Sequence, residues 1–262
     1  MYVASPSTVK FVKKYEPCII ITDKLTTDIL RLENKFDEVI AIGGGAVMDA
    51  AKILSKHHLI CNPTTASGSP TSAHSVVWDG VNKTSVQGNP ADVVQVVDEY
   101  CEGLMGKALL NTRVDLWAHA IDTLYSEKAT AKSRTLSDSI LNRMKSPMTN
   151  VELVELGNLG GDLIRMVPTT LMHGCSYPLT GHYGIAHGRA LSCMVQGICD
   201  VKGLNATDWF TKDELNSMNI HRLEVNINKS MILTEILKYD KIHEFDLGVK
   251  ITASVIAELF GM

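Results

Sequence analysis

Asp115 and His119 stand four residues apart in a segment, Lys107 to Ser126, whose apolar residues recur at helical spacing. On a helix that spacing puts the two side chains roughly 40° apart around the axis and about 6 Å along it, so a carboxylate and an imidazole can reach one ion. Two more imidazoles, His173 and His187, are fourteen residues apart. On one straight helix they would be separated by about 21 Å, too far to share a metal. Pro178, Gly181 and Gly184 fall between them and permit the bend that would bring them together. One carboxylate and three imidazoles make an open site for a divalent transition ion, with neutral nitrogens suiting iron, zinc or nickel. The same Asp-x-x-x-His pair is also the pattern of an ordinary helix-surface or capping contact, in a chain with nine histidines.

The second constellation is built from small residues. Gly43-Gly44-Gly45 directly follows an apolar run and opens a helical segment containing Asp49 and Lys52. Glycines there let the backbone take positive φ and approach a ligand closely, and the free N–H groups of a helix start favour a phosphate. Pro63-Thr64-Thr65-Ala66-Ser67-Gly68-Ser69 follows the next apolar run, and its hydroxyls can donate to phosphate or ribose oxygens. Both stretches also read as plain turns; two at one sheet edge strengthen the case for a nucleotide.

The elements that must position these residues change character along the chain. Cys18 to Thr22, Glu38 to Ile42 and Leu59 to Cys61 are short runs apolar on both faces, as in a parallel sheet covered by helices. Lys24 to Leu32 and Ala46 to Ser55 fit amphipathic helices between and after them. The resulting βαβαβ pattern places ligands at the carboxyl ends of the strands. Ser75 to Trp78 and Val93 to Val97 are further strand candidates. Beyond Asp98 the strand signal disappears, and Lys107 to Ser126, Lys132 to Met144, Val151 to Met172, Ala190 to Val201 and Leu247 to Phe260 read as helices. Asn205 to Asn219 reads as a loop with a short helix.

Composition narrows the class. The chain has 262 residues, 45% hydrophobic and 21% charged, enough to bury a sizeable core. A formal charge of −4 leaves no basic field for nucleic acid or an anionic membrane. Six scattered cysteines without a CxxC pair read as reduced thiols, and with no leader or membrane span in sight the expected compartment is the cytoplasm.

Four motifs, taken together, resemble one family. Gly43-Gly44-Gly45-Ala46-Val47-Met48-Asp49-Ala50-Ala51-Lys52 resembles the GGGSxxDxAK motif of the iron-containing (group III) alcohol dehydrogenases, and Pro63-Thr64-Thr65-Ala66 resembles the start of their PTTAGTGSE loop. Val114 to Asp122 is similar to their metal-binding helix, and His173 with Ala186-His187-Gly188 to their two remaining ligand histidines. The resemblance implies a dehydroquinate synthase-like fold: an α/β dinucleotide-binding domain over 1–102 and an all-α metal-binding domain over 103–262. It also implies a metal in the cleft between them, held by Asp115, His119, His173 and His187. Gly43, Gly44, Gly45, Asp49, Thr64, Thr65 and Ser67 would bind NAD or NADP, and a homodimer is implied.

The departures are specific. Family members are usually much longer, and the segment from Asp23 to Asp37 is too short for the usual second strand, whose residue sorts NAD from NADP. The threonine loop has Pro70 where the family has glutamate, and Tyr177 stands where many members have another histidine. The Ser176 to Ile185 run resembles the subgroup acting on phosphonate aldehydes or acidic sugars. The implied activity is hydride transfer between NAD(P)(H) and a small alcohol or aldehyde, with an Fe²⁺, Zn²⁺ or Ni²⁺ ion as Lewis acid. Tyr177 is the candidate catalytic side chain, through a proton relay or a hydrogen bond that orients substrate. His74 and His182 read as ordinary polar residues, and Trp117 and Tyr125 as core. Three alternatives remain: a dehydroquinate-synthase-type lyase, whose lysine loop Asn82-Lys83-Thr84 faintly resembles; a glycerol-1-phosphate dehydrogenase; and an inactive, shortened relative serving as a binding module.

Overall fold

The computed structural model describes residues 1–262. The chain forms two compact units, Met1–Thr112 together with Met148–Arg165, and Arg113–Pro147 together with Met166–Met262.

The first unit is α/β. Five parallel strands, β1 (Tyr2–Ala4), β2 (Cys18–Ile20), β3 (Phe36–Gly43), β4 (Ser55–Pro63) and β7 (Val93–Val94), lie in the order β2-β1-β3-β4-β7. β3 and β4 pair along most of their length, from Glu38 with His58 to Gly43 with Pro63. Helix α1 (Gly45–Leu54) buries Val47, Met48, Ala50, Ala51, Ile53 and Leu54 in a core with Val3, Val39, Ala41, Leu59 and Cys61. A hairpin of β5 (His74–Asp79) and β6 (Asn82–Gln87) forms a separate two-stranded sheet, and short α2 (Asp98–Cys101) follows. The chain leaves β1 for β2 on one side and returns to β3 on the other. That reversal makes the carboxyl ends of β1 and β3 a topological switch point, where open α/β sheets bind ligands.

The second unit is helical. Its segments are the later turns of α3 (Gly106–Leu124), then α4 (Ala131–Met144), α6 (Leu171–Tyr183), α7 (His187–Ser192), α8 (Val195–Lys202), α9 (Lys212–Met218), α10 (Lys229–Ile236) and α11 (Ala253–Leu259). Nearly all of α5 (Asn150–Met166) belongs to the first unit. No helix is long and apolar enough to cross a membrane.

Several elements differ from their sequence-based outlines. Tyr2–Ala4 is an internal strand with Val3 and Ala4 fully buried, yet three residues are too few to show a period. Cys18–Ile20 is an edge strand, with Ile20 47% exposed, and is not covered on both faces. The segment expected as a helix from Lys24 holds only a 3-10 turn over Thr27–Leu32, in keeping with adjacent β-branched threonines at its start. The expected helix Val151 to Met172 is two helices, because Pro168 cannot continue α5. Ala190 to Val201 is likewise broken between α7 and α8, and of Leu247 to Phe260 only Ala253–Leu259 is helical, beyond Gly248 at φ +80°. Polar β6 and helix α10 were not legible as elements.

Candidate metal and nucleotide sites

Helix periodicity places Asp115, His119 and Asp122 on one stripe of α3, at i, i+4 and i+7. Opposite them α6 begins at Leu171, just after the Pro168 break, and carries His173 in its first turn. The helix ends at Gly184, whose φ of +65° is the left-handed conformation that a Cβ disfavours, and the chain turns there into α7 with His187 first. This turn is what brings two histidines fourteen residues apart to one place.

The Nε2 atoms of His119, His173 and His187 lie 3.6, 3.5 and 3.5 Å from a single atom, Asp115 Oδ1. The ligating atoms of Asp115, His119 and His173 are all within 4.8 Å of one another. Asp115 Oδ1 and His173 Nε2 are buried without a hydrogen-bond partner, and so is His119 Nδ1. Leaving a carboxylate oxygen buried and unsatisfied is costly, and a divalent cation beside it would satisfy Asp115 Oδ1 and His173 Nε2 together, with His119 facing it through Nε2. Oxygen and imidazole nitrogen donors suit such an ion. The His187 side chain, 36% exposed, leaves the set open on one side.

Electrostatics divide the imidazoles. Burial disfavours the charged His173 ring, but the carboxylates of Asp115 and Asp122 outweigh it and lift its pKa to about 10. For His119 burial dominates: the carboxylates of Asp115 and Asp122 only partly offset it, two other imidazoles add to it, and its pKa falls to about 4. Burial works against ionised Asp115 as well, yet the surrounding rings hold it down to about 2. Asp122 is held below the usual carboxylate range: its own burial is outweighed by the His173 ring and by backbone N–H groups of Thr170 and Met172.

Tyr177, one turn beyond His173 on α6, stacks its ring on His187 at 6.1 Å between centroids. Its phenol lies 3.3 Å from Thr169 Oγ1, and Tyr239 packs edge-on against it.

In the first unit the glycine turn sits at the carboxyl end of β3, with Gly44 as the cap of α1 and no side chain capping the free N–H groups. None of Gly43, Gly44 and Gly45 has positive φ, contrary to the expectation for this turn. What the glycines allow is close approach: a Cβ on Gly43 would lie 2.7 Å from Val47 Cγ2, one on Gly44 3.3 Å from Thr65 Oγ1, and one on Gly45 3.3 Å from Ser67 Oγ. Thr64, Thr65 and Ser67 thus lie beside the turn, with Thr64 N donating to Gly43 O. Gly68, at φ +68°, lets the loop press against Gly161 of α5.

Asp49 is buried beneath the turn, where it accepts from Ser69 Oγ at 2.5 Å and pairs with the fully buried Lys52 ammonium at 3.2 Å. Lys52 also donates to Ser72 Oγ and His74 O. Sequence reasoning passed over the loop after β1, where Thr8 Oγ1 donates to Ile42 O at 2.6 Å and Ser5 Oγ bonds both Ser7 and Thr8. The Ser-Pro-Ser-Thr turn after Tyr-Val-Ala was the available signal.

No protein-family model matches this sequence. Among solved structures, an iron-containing alcohol dehydrogenase superposes with a TM-score of 0.78 at 19% identity, over 100% of this chain and 91% of that one. The fold is that of the iron-containing alcohol dehydrogenases. Two curated proteins are similar in sequence. The 4-hydroxybutyrate dehydrogenase of Clostridium kluyveri is 26% identical over 220 residues, 69% of this chain and 59% of the relative. The phosphonoacetaldehyde reductase of Streptomyces viridochromogenes is 23% identical over 238 residues, 71% of this chain and 60% of the relative. The chain therefore matches about three fifths of the length of these relatives. Within the iron-containing alcohol dehydrogenase fold, α3, α6 and α7 supply the carboxylate and imidazoles described above.

Proposed function

We propose that the protein is a metal-dependent alcohol dehydrogenase or aldehyde reductase that uses NAD or NADP. The observation that carries this reading is the convergence of three imidazole Nε2 atoms, at 3.5–3.6 Å, on the one unsatisfied carboxylate oxygen of Asp115. Asp115, His119, His173 and His187 would hold Fe²⁺, Zn²⁺ or Ni²⁺. Such an ion, when bound, supplies Lewis-acid polarisation of the substrate oxygen. The net reaction is aldehyde plus NAD(P)H plus a proton giving alcohol plus NAD(P)⁺, or its reverse.

The chain's own residues bind and orient. The first-turn N–H groups of α1 and the hydroxyls of Thr64, Thr65 and Ser67 would receive a pyrophosphate. Asp49 acts from beneath, holding Ser69 and so the loop in place. Tyr177, stacked on His187, would hydrogen-bond a substrate polar group. The substrate class we infer is a small aldehyde or alcohol with an anionic group, supported by the carboxylate and phosphonate in the names of the two curated relatives. A cytoplasmic location accords with six free cysteines, five of them buried; a homodimer rests on the family resemblance alone.

The test is NAD(P)H oxidation with matched anionic and neutral aldehydes, in metal-replete buffer and after chelation. Turnover that prefers the anionic member and is lost with the metal supports the reading. Nucleotide binding without turnover of any aldehyde would favour a binding module, and turnover confined to phosphate esters a glycerol-1-phosphate dehydrogenase.

A further inference from the structure

We propose that Asp122 and Ser176 are positioning residues that select the ring tautomers of His173 and His187, so that both present an unprotonated Nε2 to the ion; the proposal rests on the metal reading above. The Asp122 carboxylate is fully buried and accepts four N–H groups: the backbone of Thr170 at 2.9 Å, Met172 at 3.0 Å and His173 at 3.3 Å, and the His173 ring Nδ1 at 2.8 Å. An ionised carboxylate has no proton to give, so Nδ1 must be the donor and the lone pair of the neutral ring belongs to Nε2. The three backbone groups are N–H groups that the start of α6 leaves without intrahelical partners. One carboxylate therefore fixes both the ring and the helix that carries it.

Ser176 does the equivalent for His187 by a different route. Its hydroxyl donates to the His173 carbonyl at 2.7 Å. With that single proton committed, its 3.2 Å contact with His187 Nδ1 can only be as acceptor, so Nδ1 carries the hydrogen. The Nε2 of His187 then faces Asp115 Oδ1, 3.5 Å away. The backbone of one imidazole residue thus orders the ring of another through a hydroxyl.

Asp122→Asn disturbs the ring and the helix start together, because Oδ2 takes the His173 ring N–H and the backbone N–H groups of Thr170 and His173, and only Met172 N–H goes to Oδ1. An NH₂ in the Oδ2 place can donate to His173 Nδ1 and so favours the proton on Nε2, the atom the ion needs, and ring ¹⁵N spectra read that tautomer separately from the capping. Zn²⁺ affinity, measured by competition with a chromophoric chelator, should fall about tenfold to a hundredfold. Ser176→Ala should weaken it less, and Ser176→Thr, which keeps the hydroxyl, should restore it. Ring ¹⁵N spectra of the zinc-loaded wild type should show Nδ1 protonated and Nε2 coordinated at both histidines, a readout that stands even if a variant fails to fold. Coordination through Nδ1 would overturn the proposal. So would wild-type Zn²⁺ affinity in Asp122→Asn and Ser176→Ala when His173→Ala has lost it. Wild-type affinity in His173→Ala itself would remove the metal reading and the proposal with it.

Discussion

Adding one methyl group at each of two glycines should separate folding from nucleotide binding. A Cβ on Gly43 would lie 2.7 Å from Val47 Cγ2 and 2.9 Å from Val47 Cβ. Val47 is buried in the first turn of α1 and cannot withdraw without moving the helix. Overpacking of this kind costs about 1–3 kcal/mol. For a protein of this size each kcal/mol moves the melting temperature by about 2–4 °C, so Gly43→Ala should melt about 2–12 °C lower. At Gly44 the nearest atoms are Thr65 Oγ1 at 3.3 Å and Cγ2 at 3.4 Å, both on a half-buried side chain that can give by a few tenths of an ångström. The backbone at Gly44, φ −86° and ψ −170°, suits any residue. Gly44→Ala should therefore melt close to wild type, yet its methyl would occupy the space that the proposed pyrophosphate needs. The assay pairs thermal melts without nucleotide with fluorescence titrations of NADH and NADPH. Gly44→Ala should raise the nucleotide Kd at least about tenfold, some 1.4 kcal/mol. Unchanged nucleotide affinity in Gly44→Ala, or a wild-type melt in Gly43→Ala, would refute the reasoning.

Three further outcomes follow from the same geometry. Asp49→Ala strands the Lys52 ammonium, whose side chain is 0% exposed, without its counter-charge, and urea melts should show a loss of about 3–5 kcal/mol; a loss within about 1 kcal/mol would show that the pair is not structural. Metal must displace a proton from His173, whose pKa in the metal-free chain is raised to about 10, so Zn²⁺ affinity should climb by about one decade per pH unit between pH 7 and 9; a flat profile would contradict the assignment of that proton. Tyr177→Phe should cut kcat/KM by about tenfold to a hundredfold with an unchanged pH profile, as for one lost polar contact of about 1.5–3 kcal/mol, whereas a loss beyond about 10⁴-fold with a missing pH limb would make Tyr177 the acid/base group.

What was legible in the sequence was local. A four-residue spacing on a helix determines where Asp115 and His119 point, and three glycines after an apolar run announce a close approach, although the approach proves to need the absence of a Cβ and not positive φ. The meeting of His173 with His187 was legible only as a required bend, which Gly184 provides. Asp122 could not be assigned from the sequence, because its partners lie 48 to 51 residues away and only the packed helices bring them within 3.3 Å. β1 was too short to show a period, and Ser5 and Thr8 at its end went unread with it. The pairing of Asp49 with Lys52 is a three-residue spacing on one helix, whereas the Ser69 hydroxyl that Asp49 accepts from comes from a loop twenty residues on, which no spacing announces.

The central claim, that Asp115, His119, His173 and His187 hold one divalent ion, is tested most directly by elemental analysis of protein loaded anaerobically with Fe²⁺ and desalted. Wild type should retain about one iron per chain, and His173→Ala and His187→Ala should each lose most of it while remaining folded. Iron-free wild type, or variants that keep the wild-type content, would contradict the account.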